Sequence, residues 1–157
     1  MHSYIYQIGL KPFDKGEALD SENILEGNDV YFSYAYDLDS EERLKAIEDI
    51  VINVLPKGMF TLNADKTLTY NGGFRIWRKS YFDSIISTTK TLTPANVMDE
   101  YGNISTLNKK ITNPLNTACL FVCGGICADK SIKLMRIVEG LDKGDILYIG
   151  SVLGYHN

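Results

Sequence analysis

The sequence predicts an α+β fold in which a mainly antiparallel sheet has two principal helices packed on one face. Several segments alternate apolar and polar residues, which is typical of strands, and short turn sequences separate them. Two other stretches repeat apolar residues every three or four positions, which is typical of amphipathic helices. No linker, internal repeat or low-complexity segment divides the chain, so we expect residues 1–157 to form a single globular domain.

The first third of the chain predicts two strands. Residues 3–10 alternate and form the first, and residues 30–38 form the second, with Tyr34 and Tyr36 on one face and Tyr31 on the other. The acidic connection between them, residues 11–29, would be long for a structureless loop in a compact domain. We therefore expect a short helix within residues 17–25.

The middle of the chain predicts the two principal helices and a hairpin. Asp39 and Glu42 form a capping box, and apolar residues at helical spacing follow as far as Leu55. Residues 59–71 resemble a tight β-hairpin, and after it the aromatic and apolar residues from Phe74 to Ile86 repeat with a helical period.

The last third is less regular. The Asn-rich residues 94–114 predict a long loop with one short strand near Ile104, and residues 118–123 predict a buried strand. Residues 131–138 fit either a helix or the first strand of a hairpin. We favour the hairpin, because glycines bracket a turn at residues 140–144 and residues 146–153 are strongly strand-like.

The charges are unevenly distributed, with 16 basic and 20 acidic side chains in the whole chain. Residues 1–55 carry a net charge of −8 and residues 56–157 a net charge of +4. Such asymmetry indicates either an acidic face that meets a basic partner or two segments that pack on each other, and we favour the second interpretation. The acidic pI of about 5.1 disfavours nucleic acid as a partner.

A cytoplasmic location is expected. The first twenty residues contain no apolar run typical of a signal peptide. The uncharged apolar residues 118–128 are about half of the roughly twenty that a membrane span requires, so no membrane association is expected. Three cysteines, an odd number, fit reduced thiols better than a disulfide framework.

Neither a metal nor another cofactor is expected. Cys119, Cys123 and Cys127 have the spacing C-x3-C-x3-C, but two cysteines four residues apart on a strand lie about 13 Å from each other at roughly 3.3 Å per residue. We interpret all three as small buried side chains of a central strand. The acidic cluster of residues 37–42 would offer oxygen ligands for Mg²⁺ or Ca²⁺, but helix capping accounts for two of its carboxylates.

Residues 124–131 nearly match the phosphate-binding pattern G-x-x-x-x-G-K-[ST]. Asp129 replaces the second glycine, and its carboxylate would repel a phosphate at that position. We expect Gly124 and Gly125 to form a turn or bulge that ends the preceding strand.

Catalytic candidates are few because the chain has two histidines. A small cytosolic enzyme would need a thiol and carboxylate site near Cys127 and Asp129, with His156 as the imidazole. This enzyme is an alternative hypothesis.

The main hypothesis is a small non-enzymatic binding protein that acts on a macromolecular partner, for which a protein is favoured. One version is an inhibitor or regulator of the phage or mobile-element type. Tyrosine-rich strands offer rigid contact area of the kind found at interfaces. Basic and aromatic residues interleave at residues 75–82, but helical spacing turns the rings inward and the cations outward.

A structural subunit of a homo-oligomer is a further alternative. The predicted binding residues are Tyr31, Tyr34, Tyr36, Asp37, Arg75, Arg78 and Lys79.

Overall fold

The computed structural model describes residues 3–157. These residues form four α-helices and eight β-strands, so the predicted α+β class is confirmed. The strands are β1 Ser3–Gly9, β2 Leu25–Glu26, β3 Tyr34–Asp37, β4 Phe60–Leu62, β5 Leu68–Tyr70, β6 Leu120–Val122, β7 Cys127–Ala128 and β8 Ile146–His156. The helices are α1 Ser40–Asp49, α2 Phe74–Thr89, α3 Asn103–Thr112 and α4 Ile132–Glu139.

The main sheet is arranged around β8, an 11-residue strand that pairs with three others. On one side β8 runs antiparallel to β1, and β1 pairs in parallel with β6. On its other side the first residues of β8 pair with β5 of the β4–β5 hairpin, and its last residues pair with β3. The sheet is therefore mostly antiparallel, and β2 and β7 form a separate parallel pair.

The side chains of β1 alternate between the two faces of the sheet and divide the interior into two cores. Tyr6 and Ile8 belong to the larger core, to which both principal helices, α1 and α2, contribute. Ile5 belongs to the second core on the opposite face. No helix of residues 3–157 covers this second core, which the connection between β1 and β3 closes instead. That connection contributes Leu19, Ile24 and Val30.

Helix α1 begins as predicted. Asp39 Oδ1 accepts a hydrogen bond from the Glu42 N–H at 2.8 Å, and Glu42 Oε2 accepts one from the Asp39 N–H at 3.2 Å. This reciprocal pair satisfies two amide groups that the first turn leaves free. The chain then continues through a π-helical turn, Ile50–Val54, before Pro56.

Two predictions for the last third are wrong. Residues 103–112 form α3 rather than a loop with a strand near Ile104. Residues 132–139 form α4 rather than a hairpin strand, because Leu134, Met135 and Val138 share one helix face and are all buried. The turn and the strand β8 that follow are confirmed.

The acidic connection also differs from its prediction. It holds a 3₁₀ turn, Lys15–Glu17, and the short strand β2 instead of a helix within residues 17–25. Strand β3 begins at Tyr34 rather than at residue 30, because Val30 turns into the second core. None of the helices formed by residues 3–157 has both the length and the apolar character that a membrane crossing requires.

Candidate functional site

The end of the sheet formed by β3 and β8 carries three aromatic side chains. Antiparallel pairing sets Tyr34 opposite His156 and Tyr36 opposite Gly154, so the three rings share one face. The ring centroid of His156 is 5.0 Å from that of Tyr34 and 5.6 Å from that of Tyr36, and the two tyrosine centroids are 6.3 Å apart. Tyr34 is 56% exposed. We call Tyr34, Tyr36 and His156 the tyrosine–histidine cluster.

Gly154 makes room for this cluster. The ring of Tyr36 lies across β8 at Gly154, and a β-carbon at that position would collide with the ring and its hydroxyl. Tyr4 pairs with Gly154 from the other side, in β1. Tyr36 and Tyr4 therefore flank the glycine on the same face of the sheet.

The surface beside the cluster is acidic. Burial raises the pKa of Tyr4, and Asp49, Tyr36, Cys119 and Glu42, in that order, raise it further. Two of the four carboxylates of α1, Asp49 and Glu42, therefore act on the Tyr4 hydroxyl, Asp49 more strongly. Asp49 and Tyr4 also line a cavity of about 440 Å³ between α1 and the start of β6. Lys45 lines the same cavity, but its ammonium lies 2.8 Å from a carboxylate oxygen of Glu41.

Two of the predicted binding residues lie away from the cluster. Strand alternation turns Asp37 to the opposite face of β3, where its carboxylate accepts hydrogen bonds from the Ser21 N–H and hydroxyl, both at 3.1 Å. Tyr31 precedes β3 and is 70% exposed. It lines a cavity of about 250 Å³ together with Lys130 and Tyr155.

The predicted cations of α2 do not join the cluster either. Lys79 pairs with Asp83 at 2.6 Å and Arg78 pairs with Glu139 at 3.7 Å. Arg75 is exposed and forms no ion pair within residues 3–157. These three side chains share the outer side of one helix, as predicted, but two of their charges are already paired.

Trp77 and Tyr81 of α2 pack against the protein, whereas Phe82 of the same helix is 55% exposed. Trp77 and Tyr81 stack with ring centroids 5.3 Å apart, and both are half-buried. The Tyr81 hydroxyl donates to the Ile111 carbonyl oxygen at 3.1 Å and so links α2 to α3. These two rings are therefore not exposed for stacking on bases.

The three thiols occupy different environments and form no disulfide. Cys119 is buried, Cys123 is half-buried and Cys127 is exposed. Cys119 and Cys123 flank β6 and Cys127 lies in β7, so the interpretation as three buried residues of one central strand is wrong. Burial, with a smaller effect of Asp129, raises the pKa of Cys123 to about 12. Within residues 3–157 no three His, Cys, Asp or Glu side chains are grouped closely enough to hold a metal ion.

The strand register separates the candidate catalytic residues. The antiparallel bridge between Phe121 and Asp129 places Cys127 level with the last residues of β6. Because β6 pairs in parallel with β1, these residues lie beside the end of β1 that contains Ile8. His156 follows Tyr155, which pairs with Ser3 at the other end of β1. Six strand positions at roughly 3.3 Å each therefore place Cys127 and His156 about 20 Å apart along the strands.

The segment that resembles a phosphate loop has a structural role at its last residue. Gly124 and Gly125 have positive φ angles of 117° and 66° and form the predicted turn after β6. The buried hydroxyl of Ser131 donates to Asn113 Oδ1 at 2.6 Å and accepts from the Leu115 N–H at 3.1 Å. Ser131 therefore joins the start of α4 to the end of α3.

A cavity of about 580 Å³ beside β8 and α1 was not predicted. Arg43 lines this cavity, and burial lowers its pKa. Its guanidinium forms no ion pair with any residue in the range 3–157. No sequence signal marks Arg43, because an arginine on an amphipathic helix is ordinarily a solvated residue.

Comparison with known proteins finds no protein family whose model matches the chain, no matching curated protein and no matching solved structure.

Proposed function

We propose that this protein is a non-enzymatic binding protein that holds a basic segment of a partner protein against the tyrosine–histidine cluster. The observation that carries this proposal is the three-ring cluster, in which Tyr34 and His156 are exposed and Tyr36 is half-buried. It lies on the sheet face that also carries Tyr4, which lines one cavity together with the α1 carboxylate of Asp49. Lysine and arginine side chains are attracted to aromatic faces and form charge-assisted hydrogen bonds with carboxylates. This surface therefore offers both aromatic faces and a carboxylate to a cationic side chain.

The open edge of β3 favours an extended segment. Within residues 3–157, β3 pairs with β8 alone, and the backbone of Tyr34–Asp37 forms no other hydrogen bond to the backbone. An extended peptide can add to such an edge as a further strand and present alternate side chains to one face. Those side chains would lie beside Tyr34 and Tyr36.

Within residues 3–157 no ion pair joins residues 1–55 to the rest of the chain, which favours the other interpretation of the charge asymmetry, an acidic face that meets a basic partner. Residues 1–55, which contain β3 and α1, carry a net charge of −8, and such a field accelerates the association of a cationic partner. A basic nucleic-acid-handling enzyme is a partner of this kind, as in the phage or mobile-element hypothesis. We place the protein in the cytoplasm, because its three cysteines are all free.

The test uses a short fluorescent peptide that alternates Arg and Thr, with binding followed by anisotropy at low salt. We expect Tyr34→Ala and Tyr36→Ala each to weaken binding about tenfold, the loss typical of an interface anchor. Tyr31→Ala is the matched control, because Tyr31 is exposed in the same segment but lies outside the cluster. A peptide that alternates Glu and Thr should not bind.

Equal affinity of the Tyr34→Ala, Tyr36→Ala and Tyr31→Ala variants would show that the cluster is not the binding site. Equal binding of the Arg and Glu peptides would show that the surface does not select cations.

A further inference from the structure

A second candidate site lies between α2, the end of α3 and the start of α4. It is a pocket of about 460 Å³ that shares no lining residue with the tyrosine–histidine cluster. Its charged lining residues are three lysines: Lys109, Lys110 and Lys130. Its other lining residues are uncharged: Ser84, Thr106, Asn113, Pro114 and Asn116. Within residues 3–157 no carboxylate lines this lysine pocket.

Lys110 is held in place by uncharged oxygen atoms. Its ammonium donates to the Ser84 hydroxyl at 3.0 Å and to the Thr88 hydroxyl at 2.7 Å. Thr88 is buried, so the ammonium is fixed against α2 rather than free in solvent. An ammonium has three donors, which leaves one for a ligand.

Lys130 is positioned by its neighbour in the chain. The buried Ser131 bonds to Asn113 and Leu115, and these contacts fix the backbone at Lys130 against the end of α3. Asn113 is itself held, because its amide donates to the Thr117 carbonyl oxygen at 2.8 Å. Lys130 and the two lysines of α3 therefore line one pocket whose backbone is held by these hydrogen bonds.

The ammonium groups of the three lysines are unpaired among the described residues. None of them forms an ion pair with another residue in the range 3–157, whereas Lys45 and Lys79 do. Like charges that share one pocket repel each other, and a bound anion would relieve that repulsion.

We propose that the lysine pocket binds a small phosphate-bearing anion. Lysine ammonium groups are compact point charges that suit phosphate oxygens, and the hydroxyl and amide groups of the lining supply uncharged donors. The volume is in the range of small-molecule sites. An extended nucleic acid is not favoured, because Ser84 lies half a turn around α2 from Arg75 at 3.6 residues per turn, so the cations form no continuous strip.

The experiment titrates the full chain with sodium pyrophosphate at low salt and follows the heat of binding. We expect Lys109→Gln and Lys130→Gln each to lower the affinity about tenfold, and the double variant about a hundredfold. Lys143→Gln is the matched control, because Lys143 is exposed in the turn before β8 and outside the pocket. Its affinity should equal that of the unsubstituted protein.

Thermal melting gives a second measurement. Pyrophosphate should raise the melting temperature of the unsubstituted protein and of Lys143→Gln, but not that of the double variant. The proposal is overturned by the absence of any binding heat or melting shift, or by equal affinity of all variants. It is also overturned if a single-stranded oligonucleotide binds and pyrophosphate does not. The outcome is independent of the peptide experiment, which concerns another surface.

Discussion

At the scale of single residues, Gly154 controls the geometry of the tyrosine–histidine cluster. We predict that Gly154→Ala destabilises the protein by about 1–3 kcal/mol, because the added methyl group collides with the Tyr36 ring and overpacking has costs of this size. Urea denaturation measures the loss. The same substitution should weaken peptide binding, since the ring must move.

A double-mutant cycle is the control. In a Tyr36→Ala background the collision is absent, so Gly154→Ala should cost less than about 0.5 kcal/mol there. Gly16→Ala is a matched substitution at a glycine with nothing near its β-carbon position, and it should be nearly neutral. An equal cost of Gly154→Ala with and without the Tyr36 ring would contradict the explanation.

The raised pKa of the Cys123 thiol predicts that the protein loses stability at alkaline pH. Burial raises its pKa from 9.0 to about 12 in the folded protein. Between pH 9 and pH 12 the thiol loses its proton in the unfolded chain and keeps it in the folded chain. The free energy of unfolding therefore has its full value below about pH 9 and falls as the pH rises toward 12. We expect a loss of about 3 kcal/mol near pH 11 from this group, measured by urea denaturation across the pH range.

Two alanine variants separate the effect of the Cys123 thiol from that of another thiol. Cys123→Ala should flatten the alkaline slope, whereas Cys127→Ala, at an exposed thiol, should leave it unchanged. Part of the slope should remain in both variants, because burial also raises the pKa of Tyr6. Identical slopes for the two cysteine variants would refute the assignment.

At the scale of elements, prediction from sequence succeeds where local signals agree. Helix α1 has a capping box and a long apolar repeat, and Pro56 ends the helical run that continues from α1 through the π-helical turn Ile50–Val54, so the position of the helix is fixed by local residues. Helix α4 is eight residues long, and two turns of apolar repeat fit a strand as well as a helix. Only the burial of Leu134, Met135 and Val138 in the larger core decides between them.

The local sequence does not mark helix α3, for a related reason. It contains no fully buried residue and begins without a side-chain cap, so neither composition nor capping marks it. Its position follows from packing on α2, through the Tyr81 hydroxyl and the Lys110 ammonium. Those contacts join residues 26 and 30 positions apart and have no signature in a local window of sequence.

The candidate sites, like the helices, can be predicted from sequence only where local signals define them. Alternation along one strand places Tyr34 and Tyr36 on a common face, and this much the sequence predicts. That His156 completes the cluster depends on the pairing of β3 with β8, whose partners lie more than a hundred positions apart. The lysine pocket likewise combines α2, α3 and the start of α4 and could not be predicted from spacing.

At the scale of the whole molecule, the two cores share their strands. β1, β6 and β8 contribute side chains to both faces of the sheet, so neither core can be lost without exposing the other face of the same strands. This sharing favours a single cooperative transition, as expected for one domain. It also means that the irregular connection between β1 and β3 supports β8, the strand that carries His156 of the tyrosine–histidine cluster.

We therefore predict that Leu19→Ala, in that connection, destabilises the whole fold by about 2–5 kcal/mol, the usual cost of truncating a buried leucine. Trp77, the one tryptophan of the chain, packs against the larger core on the opposite face of the sheet. Its fluorescence and the far-ultraviolet circular dichroism should shift to the same lower urea midpoint. Leu10→Ala, at an exposed leucine, is the control and should leave both midpoints in place. If Leu19→Ala moved the dichroism transition and left that of Trp77 unchanged, the two cores would be independent and the single-domain interpretation would fail.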